Sequence, residues 1–103
     1  GGVEITLLSD SLPTRPLQEI ISEELVDATI ESTTTYSLAG HSGVRVQYLD
    51  FYTPSFSEES VAIYLPGNAR LYKFILSYAN GDPMKAEFLQ IFDGILASVV
   101  LRE

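Results

Sequence analysis

The sequence predicts an α+β fold: an antiparallel sheet of four to five strands with two helices, in the order β-α-β-β-β-β-α. Three observations predict it. Apolar stripes at helical spacing occur near the start and at the end of the chain. Between them lie two closely spaced hairpin signals, at Gly40 to Gly43 and at Pro66-Gly67-Asn68. Consecutive hairpins with helices outside them indicate segregated α+β architecture rather than alternating βαβ units.

The elements follow in order. Val3-Glu4-Ile5-Thr6-Leu7 alternates apolar and polar side chains, as a half-buried strand does, and Ser9-Asp10-Ser11 ends it. Pro13 and Pro16 fall where a helix would begin, since proline fits the first turn and not the interior. Leu17, Ile20, Ile21, Leu25 and Ala28 then form one stripe of an amphipathic helix. Glu19, Glu23, Glu24 and Asp27 lie mostly on its other side, several of them near its N-terminal half, where the helix dipole favours acids.

Residues 32–39 are rich in Thr and Tyr and predict a strand. Gly40-His41-Ser42-Gly43 predicts a tight connection, with glycine supplying positive φ at each end. Val44, Val46 and Tyr48 alternate with Arg45 and Gln47 in a strand that runs to about Thr53, before Pro54. Val61, Ile63 and Leu65 form the next strand. Tyr72, Phe74, Leu76 and Tyr78 share one face of a further one beyond the 66–68 turn. Asp82 is the expected N-cap of the last helix and Pro83 its first residue. Phe88, Ile91, Phe92, Ile95 and Val99 are its expected buried stripe.

The 103 residues match one domain, spanning 1–103, large enough to form a core without metal or disulfide. Six basic against fourteen acidic residues leave a net charge of −8. That balance opposes binding to nucleic acid and to anionic membrane, and favours solubility and a neutral or basic partner. The absence of cysteine excludes disulfides, thiolate metal sites and cysteine nucleophiles. No run approaches the ~18 apolar residues of a membrane span. Gly1-Gly2 reads as a cloning remnant, so the chain is expected to be an excised domain or processed product of a larger protein.

Four segments carry a resemblance: Leu38-Ala39-Gly40-His41-Ser42-Gly43, then Val61-Ala62-Ile63-Tyr64-Leu65-Pro66-Gly67-Asn68-Ala69-Arg70-Leu71-Tyr72, then Phe74-Ile75-Leu76-Ser77-Tyr78, and the closing Phe92-Asp93-Gly94-Ile95-Leu96-Ala97-Ser98. Together they resemble the PsbP-like, or Mog1/PsbP-fold, group of domains over roughly two-thirds of the chain. The resemblance implies an αβα sandwich around an antiparallel sheet. The group's roles range from assisting photosystem assembly to binding a small GTPase, and bacterial members are often exported lipoproteins. The expectation is therefore a non-catalytic interaction or accessory domain in the cell envelope or outside the cell, with a protein partner. A small-ligand module with a pocket between helix and sheet is the alternative.

No residue is expected to be catalytic, cofactor-binding or metal-binding. His41 is the single histidine, so a Ser-His-Asp arrangement would need it, with Ser42 and an acid such as Asp10 or Asp50. A turn histidine in solvent is the simpler account. One histidine and no cysteine argue against zinc and copper, and no EF-hand loop appears for calcium. Glu23-Glu24 and Glu58-Glu59 suit solvated faces better than chelation, and a carboxylate pair for glycoside chemistry is selected by nothing in the sequence. Gly40-x-x-Gly43 lies between strands, not ahead of a helix, and so lacks the dipole of a phosphate loop. The tyrosines stand out instead. Tyr48, Tyr52, Tyr64 and Tyr72 form the expected partner surface should a sheet face lie bare, while a core-rim role is the plainer reading of strand tyrosines.

Overall fold

The computed structural model describes residues 2–103. Strands β1 (Gly2–Ser9), β2 (Thr29–Leu38), β3 (His41–Thr53), β4 (Phe56–Pro66) and β5 (Leu71–Ala79) form one sheet. Helix α1 (Leu17–Glu24) follows β1, and α2 (Lys85–Ala97) follows β5. The spatial order is β1-β5-β4-β3-β2, antiparallel at every step. The chain therefore passes through α1 from one edge of the sheet to the other.

The expected fold class is corrected here. The molecule is mostly sheet: five strands take up about half of the chain, and helices of 8 and 13 residues cover only its centre. Residues 29–35 of β2 are all exposed, as are most of those in β1. An αβα sandwich would need helices spanning the sheet from edge to edge, and these are too few and too short.

The register sorts the core. Val61, Ile63 and Leu65 of β4 face Leu76, Phe74 and Tyr72 of β5 across the strands, and Phe92 and Leu96 of α2 close this side. On the other side, Val46 and Tyr48 of β3 lie beside Ala62 and Tyr64 of β4, under Ile21 and Leu25 around α1. Residues 60–65 of β4 are buried on both faces, because this strand is central and each helix covers one side of it.

Local chemistry shifts several boundaries. The β2–β3 turn is only Ala39-Gly40, both with positive φ (52° and 78°), and Leu38 pairs with His41 across it. Two such residues give the backbone twist that a two-residue hairpin needs. His41, Ser42 and Gly43 belong to the strand. Gly43 serves a different purpose from the one expected: a Cβ there would run into the Tyr64 carbonyl oxygen and the Leu65 side chain. Helix α1 starts directly after Pro16 but stops at Glu24, so Ala28 lies beyond it.

Asp82 does not cap α2. Its Oδ1 accepts the Met84 N–H at 2.8 Å and its carbonyl accepts the Lys85 N–H at 3.1 Å, making a turn ahead of the helix. Ile91, expected in the buried stripe, is 59% exposed, and Leu96 takes a buried place instead. No helix among the described residues is long and apolar enough to cross a membrane.

Candidate binding surface

The register that builds the core also lays out one apolar row in solvent. Val3, Ile5 and Leu7 of β1 pair with Leu76, Phe74 and Tyr72, so they continue the α2-side face of the sheet past the last covered strand. They are 40%, 59% and 47% exposed. Ile91, on the flank of α2, stands over the same region. A depression between them is lined by Val3, Leu76, Phe88 and Ile91, and a second one by Ile5, Tyr72, Phe74, Val99 and Leu101. Beyond this row the outer backbone of β1 has no strand partner among the described residues. An edge that combines free N–H and C=O groups with alternating apolar side chains is a template for another strand.

The four tyrosines expected to form a partner surface do not come together. Tyr48 and Tyr64 are buried on the α1 side, 3% and 0% exposed. Tyr72 lies on the opposite side, because its cross-strand neighbour is Leu65 and not Tyr64, and a one-residue offset reverses the face. Tyr52 alone is freely exposed. It sits near the β3–β4 hairpin tip, stacked on Phe56 with ring centroids 5.9 Å apart, and Phe51 beside it is also exposed.

His41 gains no partners for hydrolysis. Asp50 lies on the same strand, roughly 30 Å away at strand rise, and Asp10 follows β1, three strands and about 14 Å across the sheet. Among the described residues no group of three or more His, Cys, Asp and Glu side chains is arranged to hold a metal.

Two polar clusters lie within the fold, and each ties a helix region to the sheet. On the α2 side Glu59, only 4% exposed, accepts hydrogen bonds from Lys85 Nζ at 2.9 Å and from Gln47. Desolvation pushes its carboxyl upward, but the hydrogen bonds of Lys85 and Gln47 and the charge of Lys85 outweigh it, and the carboxyl stays below its ordinary value. Tyr78 faces Glu59 across the strands. Its hydroxyl is buried without a partner of hydrogen-bonding geometry among the described residues, and burial first, then the Glu59 charge, raises its pKa.

On the α1 side, Glu24 accepts from the Tyr64 hydroxyl at 2.8 Å and pairs with Lys73. Burial and this acidic partner raise the Tyr64 pKa. Such networks add to the apolar contacts that seat each helix region on the sheet. Their acids and bases are spent on each other, which suits structure more than proton transfer.

Sequence reasoning found the alternation at residues 3–7 but placed no function there. Alternation says that one side of a strand is apolar; it does not say whether a helix covers that side. Neither the family models nor the curated proteins contain a match to this chain.

Proposed function

We propose that this chain is a non-catalytic, PsbP-like accessory domain of a larger exported or envelope protein, and that it takes up an extended partner segment along β1. The PsbP-like assignment and the location rest on the resemblance of the four quoted segments. The exposed row Val3, Ile5 and Leu7 carries the binding reading. A strand added to β1 would satisfy the free backbone and cover the row with its own alternate side chains. The fitting partner alternates apolar residues with neutral or basic ones, because the domain carries −8 overall and Glu4 stands on the other side of the same strand.

Site-specific photocrosslinking in the native protein tests this. A photoreactive side chain at Ile5 should yield one dominant adduct, on an extended apolar segment, while the same group at Thr33 of β2 should yield none. Equal labelling from both edges would contradict the reading, as would adducts spread over many proteins. An adduct to Ile5 of a second copy would replace the partner by self-association.

A further inference from the structure

The turn between β4 and β5, residues 67–70, presents three backbone N–H groups to one carboxylate. Asn68 N–H donates to Glu103 Oε2 at 2.6 Å, and the N–H groups of Ala69 and Arg70 donate to Oε1 at 3.1 Å each. The Tyr72 hydroxyl adds a fourth bond to Oε1 at 3.3 Å. Successive N–H groups converging on one point form an anion-binding concavity. Gly67 leaves the space: a Cβ there would lie 2.6 Å from Oε1 and 3.0 Å from the carboxyl carbon. The turn is held shut from within, since the Gly67 N–H donates to the Arg70 carbonyl at 2.8 Å.

The residues leading to Glu103 are also seated. Val99 and Leu101 pack on the α2-side core and share a depression with Tyr72 and Phe74, flanked by Arg70 and Arg102. Residues 98–103 thus form a strap with two apolar pegs and an anionic latch. Desolvation at the turn raises the Glu103 carboxyl, but the bonds from Asn68, Ala69, Tyr72 and Arg70 prevail and hold it below its ordinary value.

We propose that the 67–70 turn is a carboxylate-binding site for extended apolar segments that close on an acidic residue, with residues 99–103 as its resident occupant. The chemistry is visible in that occupant: alternate apolar side chains fill the depression, and the carboxylate takes the three amides. Such a site needs no strand pairing, although Ile5 of β1 lines the same depression. A segment supplied in trans competes with a tethered carboxylate, whose effective concentration is of millimolar order. It therefore gains the site when the latch is removed.

The test uses the full chain, its Glu103→Ala variant and an acetylated, amidated peptide with the sequence of residues 98–103. The variant should bind this peptide, with amide resonances of Asn68, Ala69 and Arg70 moving on titration. The same peptide ending in glutamine should bind at least ~10-fold more weakly, since a charge-assisted set of hydrogen bonds is lost. The unaltered chain should bind the acidic peptide at least ~10-fold more weakly than the variant does. Adding Gly67→Ala to the variant should weaken binding, because the added Cβ would force the carboxylate to shift in its seat. Equal affinity for the acidic and glutamine peptides would overturn the proposal. So would absence of binding by the variant, shifts that bypass the three amides, or undiminished binding by the unaltered chain.

Discussion

The strands at the two ends of the sheet, β1 and β2, both lie largely outside the helical cover, yet they meet water with different chemistry. β2 does so mainly with Thr29, Ser32, Thr33, Thr34 and Thr35, whose hydroxyls are solvated at little cost; Ile30 is its one exposed large apolar side chain, and an irregularity between Ile30 and Ser32 interrupts the pairing there. A pairing irregularity is one of the means by which edges avoid unwanted strand addition, and a polar face gives an added strand little apolar surface to cover. β1 offers three exposed apolar side chains, Val3, Ile5 and Leu7, in one row on one side, and each edge strand carries a single ionised side chain, Glu4 in β1 and Glu31 in β2. The β1 irregularity comes late, between Leu7 and Ser9. Within a single sheet one edge carries a row of three exposed apolar side chains where the other carries mostly hydroxyls, and that asymmetry singles out β1 as the surface to be covered.

Phe92 is fully buried and fixes α2 over the face that ends in the β1 row. Phe92→Ala should cost about 3–5 kcal/mol in denaturant unfolding, and amide exchange should quicken in β1 before β2. A loss under about 1 kcal/mol would mean that α2 does not hold that face. Gly43→Ala acts from the β2 side of the sheet. The added methyl would push β3 away from the Tyr64 carbonyl, so a loss of about 1–3 kcal/mol is expected by the same measurement.

The α1 face should fail in alkali. Tyr48 is pushed up from 10.0 to about 12, first by burial and then by nearby acids including Asp50, partly offset by a hydrogen bond with Ser60. A raised folded value favours the native state below the unfolded value and loses that contribution as pH climbs to the folded one. Tyr48 should therefore cost on the order of 2 kcal/mol of stability between pH 10 and 12. Ultraviolet titration of the six tyrosines should show Tyr48, Tyr64 and Tyr78 ionising only as the chain unfolds. If all ionise together near pH 10 in a folded chain, the buried assignment is wrong.

The smallest effect on stability sharpens the edges themselves. Ile5→Thr gives β1 the surface of β2 and should shift unfolding by no more than about 0.5 kcal/mol, while removing the adduct formed from a photoreactive side chain placed at Val3 of the same row. The converse pair, Ser32→Val with Thr34→Ile, should make β2 associate in sedimentation experiments at concentrations where the unaltered chain does not. Retention of the adduct by Ile5→Thr would show that the row is incidental.

Much of this architecture was legible locally. The alternation in β4 and β5, the turn at Pro66-Gly67-Asn68 and the stripe through Phe92 each follow from spacing alone. What escaped depended on neighbours distant in sequence. Gly43 looked like a turn residue because its close approach to Tyr64 exists only once β3 and β4 pair. The tyrosines looked like one surface because the face that Tyr72 takes is set by its pairing with Leu65, not by its own strand. The sandwich was implied by the resemblance, and the helix stripes could not test it, because a stripe reveals an apolar side but not how far it reaches. For the binding surface, Val3-Glu4-Ile5-Thr6-Leu7 carried the pattern, and only the order β1-β5-β4-β3-β2 reveals that this strand is an edge. Glu103 had no local signal at all, since its partners lie more than thirty residues earlier.

The most direct test compares amide exchange at the two edges, first in the isolated chain and then in the native complex recovered from cells. The β1 amides that make no bond to β5 should exchange freely in the isolated chain and become protected in the complex, while the exposed amides of β2 stay fast in both. Unchanged exchange along β1, or equal protection of both edges, would contradict the assignment of β1 as the partner-binding edge.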